Sequence, residues 1–414
     1  MNNEEKLIKM LKYVSEHNDF YKNRIKEYGI TNPLDITQWP ILTRKELQEN
    51  RYNMFSDGYK TKYFNQQLRR QSSSGSTGVP VNVYWDYKDW YASIKTLWRK
   101  RFEHYGINPR DKCVKFTLRL FDSSTENDKV DYVINKNILS FNASKINDKS
   151  LLTVLKLINE FRPRWLYATP YILQKIMCGY KKYNLIQPIS VKYIESVGEI
   201  LFPDVREQLS DFFNVPIVNM YGSEEFNAIA YECPNGILHL LDENVFVECY
   251  DIKREGHICE GKTMITGLLN RAMPLLRYDL GDVISLEDID SCRVCGLSGK
   301  VIDVVKGRSC DCVSVEYEKY IYDFNVYSMR EIIDIVNNRF KDIIVYYRFS
   351  YIKSKSVIEC KVFLSNPDWY QTVNMIMKKL FFSKFGATDV GFEVKMTDSF
   401  PSNVLKDTQF VVLE

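Results

Sequence analysis

The run Ser72-Ser73-Ser74-Gly75-Ser76-Thr77-Gly78-Val79-Pro80 sets hydroxyls and glycines side by side. Glycine tolerates the dihedrals that turn successive backbone N–H groups inward. The hydroxyls add donors, so such a loop can cradle phosphate oxygens. It lacks the Gly-Lys-Ser/Thr ending of a Walker A loop and the Gly-x-Gly-x-x-Gly of dinucleotide folds. Taken alone it reads equally well as a Ser/Gly linker. Three further clusters carry chemistry. In Tyr221-Gly222-Ser223-Glu224-Glu225, carboxylates after a strand suit Mg2+, a hard ion that takes oxygen ligands; a solvated acidic turn is the plainer reading. In Arg277-Tyr278-Asp279-Leu280-Gly281-Asp282, an aspartate after a Leu-Gly turn can accept hydrogen bonds from two sugar hydroxyls; a simple hairpin turn fits too. Cys233 and His239, with Cys292 and Cys295, give Cys-x5-His and Cys-x2-Cys. These three thiols and one imidazole can close a tetrahedral structural zinc site, or remain free buried cysteines. Finally, Gly307-Arg308-Ser309-Cys310-Asp311 stands where the composition changes, as a hinge or a plain linker.

The elements that must hold these residues follow from periodicity. Leu7, Met10, Leu11 and Val14 share a helical face, and Thr43 with Glu46 forms a capping box. Residues 86–105 read as a helix ended by Gly106. The stretches Val114–Phe116, Trp165–Ala168, Ile194–Val197 and Val215–Tyr221 read as strands, and residues 150–159 and those after Thr169-Pro170 as helices. Strands alternating with helices predict an α/β domain with a largely parallel sheet, whose ligands bind beyond the strands' carboxyl ends. From about 235 to 305 short strands predict a β subdomain. Residues 307–414 read as a small α+β domain, with a helix over Met329–Val336 and strands over 343–347, 357–364 and 391–395. The predicted domains are therefore 1–306 and 307–414.

Composition narrows the class. The chain has 414 residues, 45% of them apolar and 26% charged, which suits a globular protein of more than one domain. Lys and Arg total 56 against 53 acids, a net charge of +3 that argues against a nucleic-acid footprint. The polar start and the lack of a long apolar run predict neither a signal peptide nor a membrane span, hence a cytoplasmic location. In that setting the 10 cysteines are thiols or metal ligands.

In order and spacing, these elements resemble the adenylate-forming (ANL) ligase superfamily, and within it the phenylacetate–CoA ligase-like branch that includes capsular-polysaccharide-locus proteins. Ser73 to Pro80 resembles the family's phosphate loop, implying nucleotide contacts from Ser73, Ser74, Gly75, Ser76, Thr77 and Gly78, with Thr77 also catalytic. Ser196-Val197-Gly198-Glu199 resembles the segment beside adenine. Tyr221 to Glu225 resembles Y-G-x-T/S-E, making Tyr221, Gly222 and Ser223 nucleotide neighbours and Glu225 the Mg2+-associated carboxylate. Asp282 matches the ribose-binding aspartate, and Arg308 the arginine after the hinge glycine. Pro401 to Lys406 resembles the terminal P-x-x-x-G-K, making Lys406 the catalytic lysine. Relatives also carry cysteine-rich segments like that of Cys233, His239, Cys292 and Cys295.

The resemblance implies a large N-terminal adenylation domain with a β subdomain and a mobile C-terminal domain. It implies ATP, Mg2+ and structural Zn2+. A carboxylic acid would be activated as acyl-adenylate, pyrophosphate would leave, and the acyl group would pass to CoA, an amine or a hydroxyl. The partners are small molecules; a homodimer is expected without a named interface. The chain departs from the pattern at Val79 (usually lysine), Glu224 (usually Thr or Ser), Cys310 (usually Asp) and Leu405 (usually Gly). Residues 312–330 also lack the Gly-Pro pattern of CoA-using relatives. A catalytically reduced nucleotide-binding protein and a zinc-stabilised interaction protein are the alternatives.

Overall fold

The structure is a computed structural model that describes residues 2–73, 81–117, 130–308, 313–317, 320–341, 343–386, 389–398 and 410–413. The chain divides into two units. The first comprises Met1–Cys113, Pro163–Tyr167 and Ser190–Val305; the second comprises Val114–Arg162, Ala168–Ile189 and Lys306–Glu414.

In the first unit the lead-in forms as its periodicity predicts. The helix Asn3–His17 buries Leu7, Met10, Leu11 and Val14. Asn18 ends it and caps the helix Asp19–Glu27 through Tyr21 N–H. The Asn18 amide, itself fully buried, donates to Met54 O at 2.8 Å and Ser56 Oγ at 3.1 Å. The Thr43–Glu46 capping box is present at the helix Arg44–Glu49. Just before it, Leu42 donates to Arg277 O and accepts from Asp279 N–H, at 3.0 and 2.9 Å. Tyr21 accepts from Leu276 N–H and donates to Pro274 O, both at 3.0 Å. The lead-in thus buttresses the strand Tyr278–Ile289, and Trp39, Leu42, Tyr278 and Ile265 are closed into one apolar core.

The sheet of this unit runs, in spatial order, Val245–Glu255, Ile258–Gly267, Tyr278–Ile289, Gly299–Arg308, Leu238–Leu240, Asn227–Glu232, Ile217–Ser223, Tyr193–Val197 and Trp165–Ala168. Tyr193–Val197 pairs in parallel with Ile217–Ser223, with Ser196 opposite Asn219. Ile217–Ser223 then pairs antiparallel with Asn227–Glu232. The sheet is therefore mixed rather than largely parallel, because the short link from Ser223 to Asn227 cannot make the crossover that parallel strands need. The strands predicted between 235 and 305 are longer than expected and extend this sheet.

Leu280-Gly281-Asp282, expected as a turn, lies inside the strand Tyr278–Ile289. Its pairing jumps from Lys262↔Val283 to Met264↔Asp279, so these residues form a bulge. Gly281 has φ +80° there, a left-handed conformation that other L-residues resist. A bulge re-aims the side chain it carries, here Asp282. The helix Tyr87–Tyr105 is capped by Asp86 and ended by Gly106.

The second unit holds the helices Asp148–Phe161 and Pro170–Lys182. It also holds a four-stranded sheet in the order Gly391–Met396, Val357–Leu364, Ile344–Ile352, Phe410–Leu413. The helices Val326–Phe340 and Tyr370–Phe385 belong to the same unit, where the Phe381 and Phe392 rings stack at 4.5 Å. Tyr370–Phe385 and Phe410–Leu413 were not anticipated. No described helix is long and apolar enough to cross a membrane.

Candidate active site and metal centre

The strands Arg69–Ser72 and Asn82–Trp85 pair antiparallel, with Ser72 opposite Asn82. Ser73 continues the ladder: its N–H donates to Val81 O, and its Oγ accepts from Val81 N–H, both at 2.9 Å. Arg44 also donates to Ser73 Oγ at 3.1 Å. The hydroxyl run thus starts and returns at a closed hairpin mouth. Ser74, Gly75, Ser76, Thr77 and Gly78 lie outside the described residues, as does Lys406.

A chain of hydrogen bonds ties this mouth to the acidic turn. Gln71 Nε2 donates to Asn227 Oδ1 at 2.9 Å and to Glu224 Oε2 at 3.2 Å. Asn227 Nδ2 donates to Ser93 Oγ at 2.7 Å, and Ser93 donates to Trp90 O at 2.8 Å. The turn is tight. A second bulge falls between Tyr221 and Gly222, and a Cβ on Gly222 would stand 2.3 Å from Asn227 O, a separation no side chain can occupy. Ser223 Oγ is buried with no partner among the described residues. Glu225 is buried at 5% exposure, and it has no hydrogen bond or ion pair among the described residues. A carboxylate in so enclosed a residue is well suited to a cation as its complement.

Tyr221 and Asp282, far apart in sequence, meet: the tyrosine hydroxyl donates to Asp282 Oδ2 at 2.7 Å. Asp282 is itself buried. A carboxylate can accept from more than one hydroxyl. Val197 and Met220 are in register, so Gly198 and Tyr221 follow at one level where the strand Tyr193–Val197 ends. Gly198 and Glu199 form the exit of the inner strand. Arg308 ends the strand Gly299–Arg308 and belongs to the second unit.

Sequence reading missed what fixes the inner strand. Glu195 is fully buried and Arg101 nearly so. Arg101 Nε donates to Glu195 Oε2 at 2.8 Å, and its Nη2 donates to the other oxygen. Tyr193 donates to the same carboxylate and shares a 2.6 Å hydroxyl pair with Tyr231. The guanidinium also lies over Trp98 and Trp165, 4.5 and 5.1 Å from the ring centroids. Burial alone would lower the pKa of Arg101, but the Glu195 charge and hydrogen bonds hold it raised. The available signal was an acid set inside a predicted strand between the apolar Ile194 and Val197.

The four metal-type residues converge. The donor atoms of Cys233, His239, Cys292 and Cys295 all lie within 4.8 Å of one another. Two turns present them: Gly236 N–H donates to Cys233 O at 2.9 Å, and Gly296 N–H to Cys292 O at 2.8 Å. Pairing of Leu238 with Ile302 and of His239 with Val301 holds the turns together. Cys233 Sγ and Cys292 Sγ are 3.8 Å apart, and Cys295 Sγ is 3.3 Å from His239 Nε2. Zn–S bonds of ~2.3 Å at tetrahedral angles put two sulfurs ~3.8 Å apart, so the donor set fits that ion. The backbone N–H of Cys295, helped by that of Val294, holds the Cys292 thiol down to about 7, while burial pushes Cys233 up to about 11. Burial, then His104 and Lys100, lowers the His239 pKa, which favours the neutral ring that metals bind.

No family model matches the chain. Protein CapK of Staphylococcus aureus is 26% identical over 282 residues, which is 67% of this chain and 60% of that protein. The match therefore spans less than two thirds of that relative's length. Phenylacetate-coenzyme A ligase of Thermus thermophilus is 23% identical over 327 residues, 75% of this chain and 71% of that one. Among solved structures, 2-hydroxyisobutyryl-CoA ligase in the postadenylation state with 2-HIB-AMP aligns at TM-score 0.76 and 15% identity. That alignment covers 100% of this chain and 89% of the ligase. Anthranilate CoA ligase AuaEII with anthranoyl-AMP aligns at TM-score 0.52 and 14% identity, over 83% and 65% of the two chains. These neighbours agree with the adenylate-forming superfamily and the phenylacetate–CoA ligase-like branch to which the motifs point.

Proposed function

We propose, starting from a chain with the adenylate-forming ligase fold, that this protein activates a carboxylic acid with ATP. One acid oxygen attacks the α-phosphorus, the bond to the β-phosphate oxygen breaks, and pyrophosphate leaves an acyl-adenylate. The acyl group then passes to an acceptor, CoA being the one named for the structural neighbours. The observation that carries this reading is convergence. Gln71 joins the hydroxyl loop's mouth to the acidic turn at Glu224 and Asn227, and the strand before that turn reaches Asp282 through Tyr221.

In this reading Ser73, Ser74, Gly75, Ser76, Thr77 and Gly78 bind phosphates. Gly198, Glu199, Tyr221, Gly222 and Ser223 border the base, and Asp282 grips the ribose. Mg2+, when bound, neutralises phosphate charge, and Glu225 is the residue that would hold it. Lys406 would neutralise charge developing between carboxylate and α-phosphate. Residues 1–306 and 307–414 would act as separate domains about Gly307, with Arg308 beside the hinge. Such a reaction needs positioning and charge neutralisation more than covalent help from the protein. A cytoplasmic location and a homodimer complete the proposal.

ATP–pyrophosphate exchange tests it. Wild-type protein with Mg2+ and a panel of carboxylic acids is expected to incorporate labelled pyrophosphate into ATP only when a suitable acid is present. ATP binding without exchange for any acid would favour the catalytically reduced alternative.

Zinc at Cys233, His239, Cys292 and Cys295 is part of the same proposal, in a structural role because four protein ligands leave no open position. Elemental analysis of purified protein is expected to find about one zinc per chain. Cys233→Ser should lower that content to background. Equal zinc in both proteins would sink the assignment.

A further inference from the structure

The bulge that carries Asp282 interrupts the ladder, and other groups take over its backbone. Thr263 alone stands opposite Leu280, Gly281 and Asp282, so the ladder has no regular pair there. Gly281 N–H donates instead to Asp279 Oδ1 at 2.9 Å, a contact that closes the bulge with a side chain from two residues upstream. The Tyr250 hydroxyl bonds the same carboxylate; burial, and then that acid, raise its pKa, so the phenol keeps its proton and donates. The main chain of Asp279 is held as well. On the side away from Ile265, Leu42 pairs in parallel with Tyr278. Its carbonyl takes Asp279 N–H at 2.9 Å, and its N–H goes to Arg277 O at 3.0 Å. Arg277 is left-handed at φ +47°, which is uncommon outside glycine. Its guanidinium donates to Trp39 O at 2.6 Å and to Thr37 O at 3.3 Å. The lead-in therefore clamps the approach to the bulge, and the Asp279 side chain clamps the bulge itself.

We propose that Asp279 is a positioning residue for the nucleotide: it holds the bulge in the shape that presents Asp282 to the ribose hydroxyls. The proposal rests on the adenylating reading above, in which Asp282 grips the ribose, and deepens it by naming what sets that grip. Asp279 touches neither the ribose nor the phosphates in this scheme. It acts through the Gly281 N–H, as a hydrogen-bond acceptor rather than as a charge. Asparagine has the same shape and keeps a carbonyl oxygen to accept with; alanine has none. Without the acceptor, the Leu280–Asp282 backbone is free to leave its left-handed step at Gly281, and the carboxylate it carries turns with it.

Calorimetric binding of ATP and of 2′-deoxy-ATP, each with Mg2+, reads the grip as a ratio of affinities. Effects of a substitution on overall charge or on the folded fraction act on both nucleotides and cancel in that ratio. The wild type is expected to prefer ATP. Asp279→Ala should lower that preference at least about threefold. Asp279→Asn should keep it within about twofold of wild type. Gly281→Ala strains the same bulge at φ +80° and should repeat the loss seen with Asp279→Ala, which keeps the test open if that variant folds poorly. Urea unfolding is followed for every variant. A preference unchanged in Asp279→Ala or, where that protein is unfolded, in Gly281→Ala overturns the proposal, even where stability falls, because a merely structural role moves stability alone. An equal loss in Asp279→Asn and Asp279→Ala also overturns it, since the charge and not the bulge contact would then be responsible. Failure of the wild type is a different result. Equal binding of the two nucleotides would remove the ribose grip of Asp282, and no binding of ATP would remove the adenylating reading beneath.

Discussion

Asp282→Ala is expected to lower the kcat/KM for ATP in pyrophosphate exchange about 100-fold, which corresponds to ~2.7 kcal/mol. A hydrogen bond to a charged group contributes ~1.5–3 kcal/mol, and a ribose held there as proposed would offer two hydroxyls to this carboxylate, partly replaced by water after truncation. The bulge at Leu280–Asp282 aims the side chain, and the Tyr221 hydroxyl at 2.7 Å fixes its orientation. Tyr221→Phe should therefore cost far less, about three- to tenfold, because it keeps the charge and removes only the constraint. The specific readout is 2′-deoxy-ATP. Wild type should discriminate against it; Asp282→Ala should use both nucleotides equally poorly. Discrimination that survives the substitution would show that the ribose is held elsewhere.

The second large effect concerns stability. Glu195→Ala would leave Arg101 charged, buried and unpaired among Trp98, Trp165 and Tyr231. Breaking a buried pair from one side costs ~3–5 kcal/mol. The midpoint of urea unfolding, followed by tryptophan fluorescence, is expected to fall accordingly. The double variant Arg101→Met/Glu195→Leu should recover most of the loss, since well-packed apolar residues replace a buried ion pair at little net cost. A single variant as stable as wild type would mean that water reaches the guanidinium. Nucleotide binding should decline with the single variant as well, because Glu195 anchors the strand whose end presents Gly198.

What could be read from the residues alone was local. Leu7, Met10, Leu11 and Val14 announced a helical face; Thr43 and Glu46 announced a cap; Cys292 and Cys295 announced a two-residue spacing for a metal. Each signal lies within one turn or one strand. The contacts that make the site do not. Gln71 and Glu224 are 153 residues apart, and Arg101 and Glu195 are 94 apart. Nothing in either neighbourhood specifies the partner. Asp282 was legible as a candidate, but its setting was misread, since Gly281 signals a left-handed residue equally in a turn and in a bulge. The mixed sheet was hidden for a related reason: alternation of apolar residues marks a strand without giving its direction.

The cysteine–histidine cluster sits at a crossroads of the chain. Cys233 and His239 stand where the polypeptide departs into Val245–Glu255, Ile258–Gly267 and Tyr278–Ile289; Cys292 and Cys295 stand where it comes back. A cation bound there would fasten the whole excursion into a ring whose ends could not drift apart on unfolding, and loop closure of this kind narrows the unfolded ensemble. Asp282 rides on that ring. Stripping the cation would then be felt at the nucleotide, through the freedom regained by a lasso rather than through any bond between the two places.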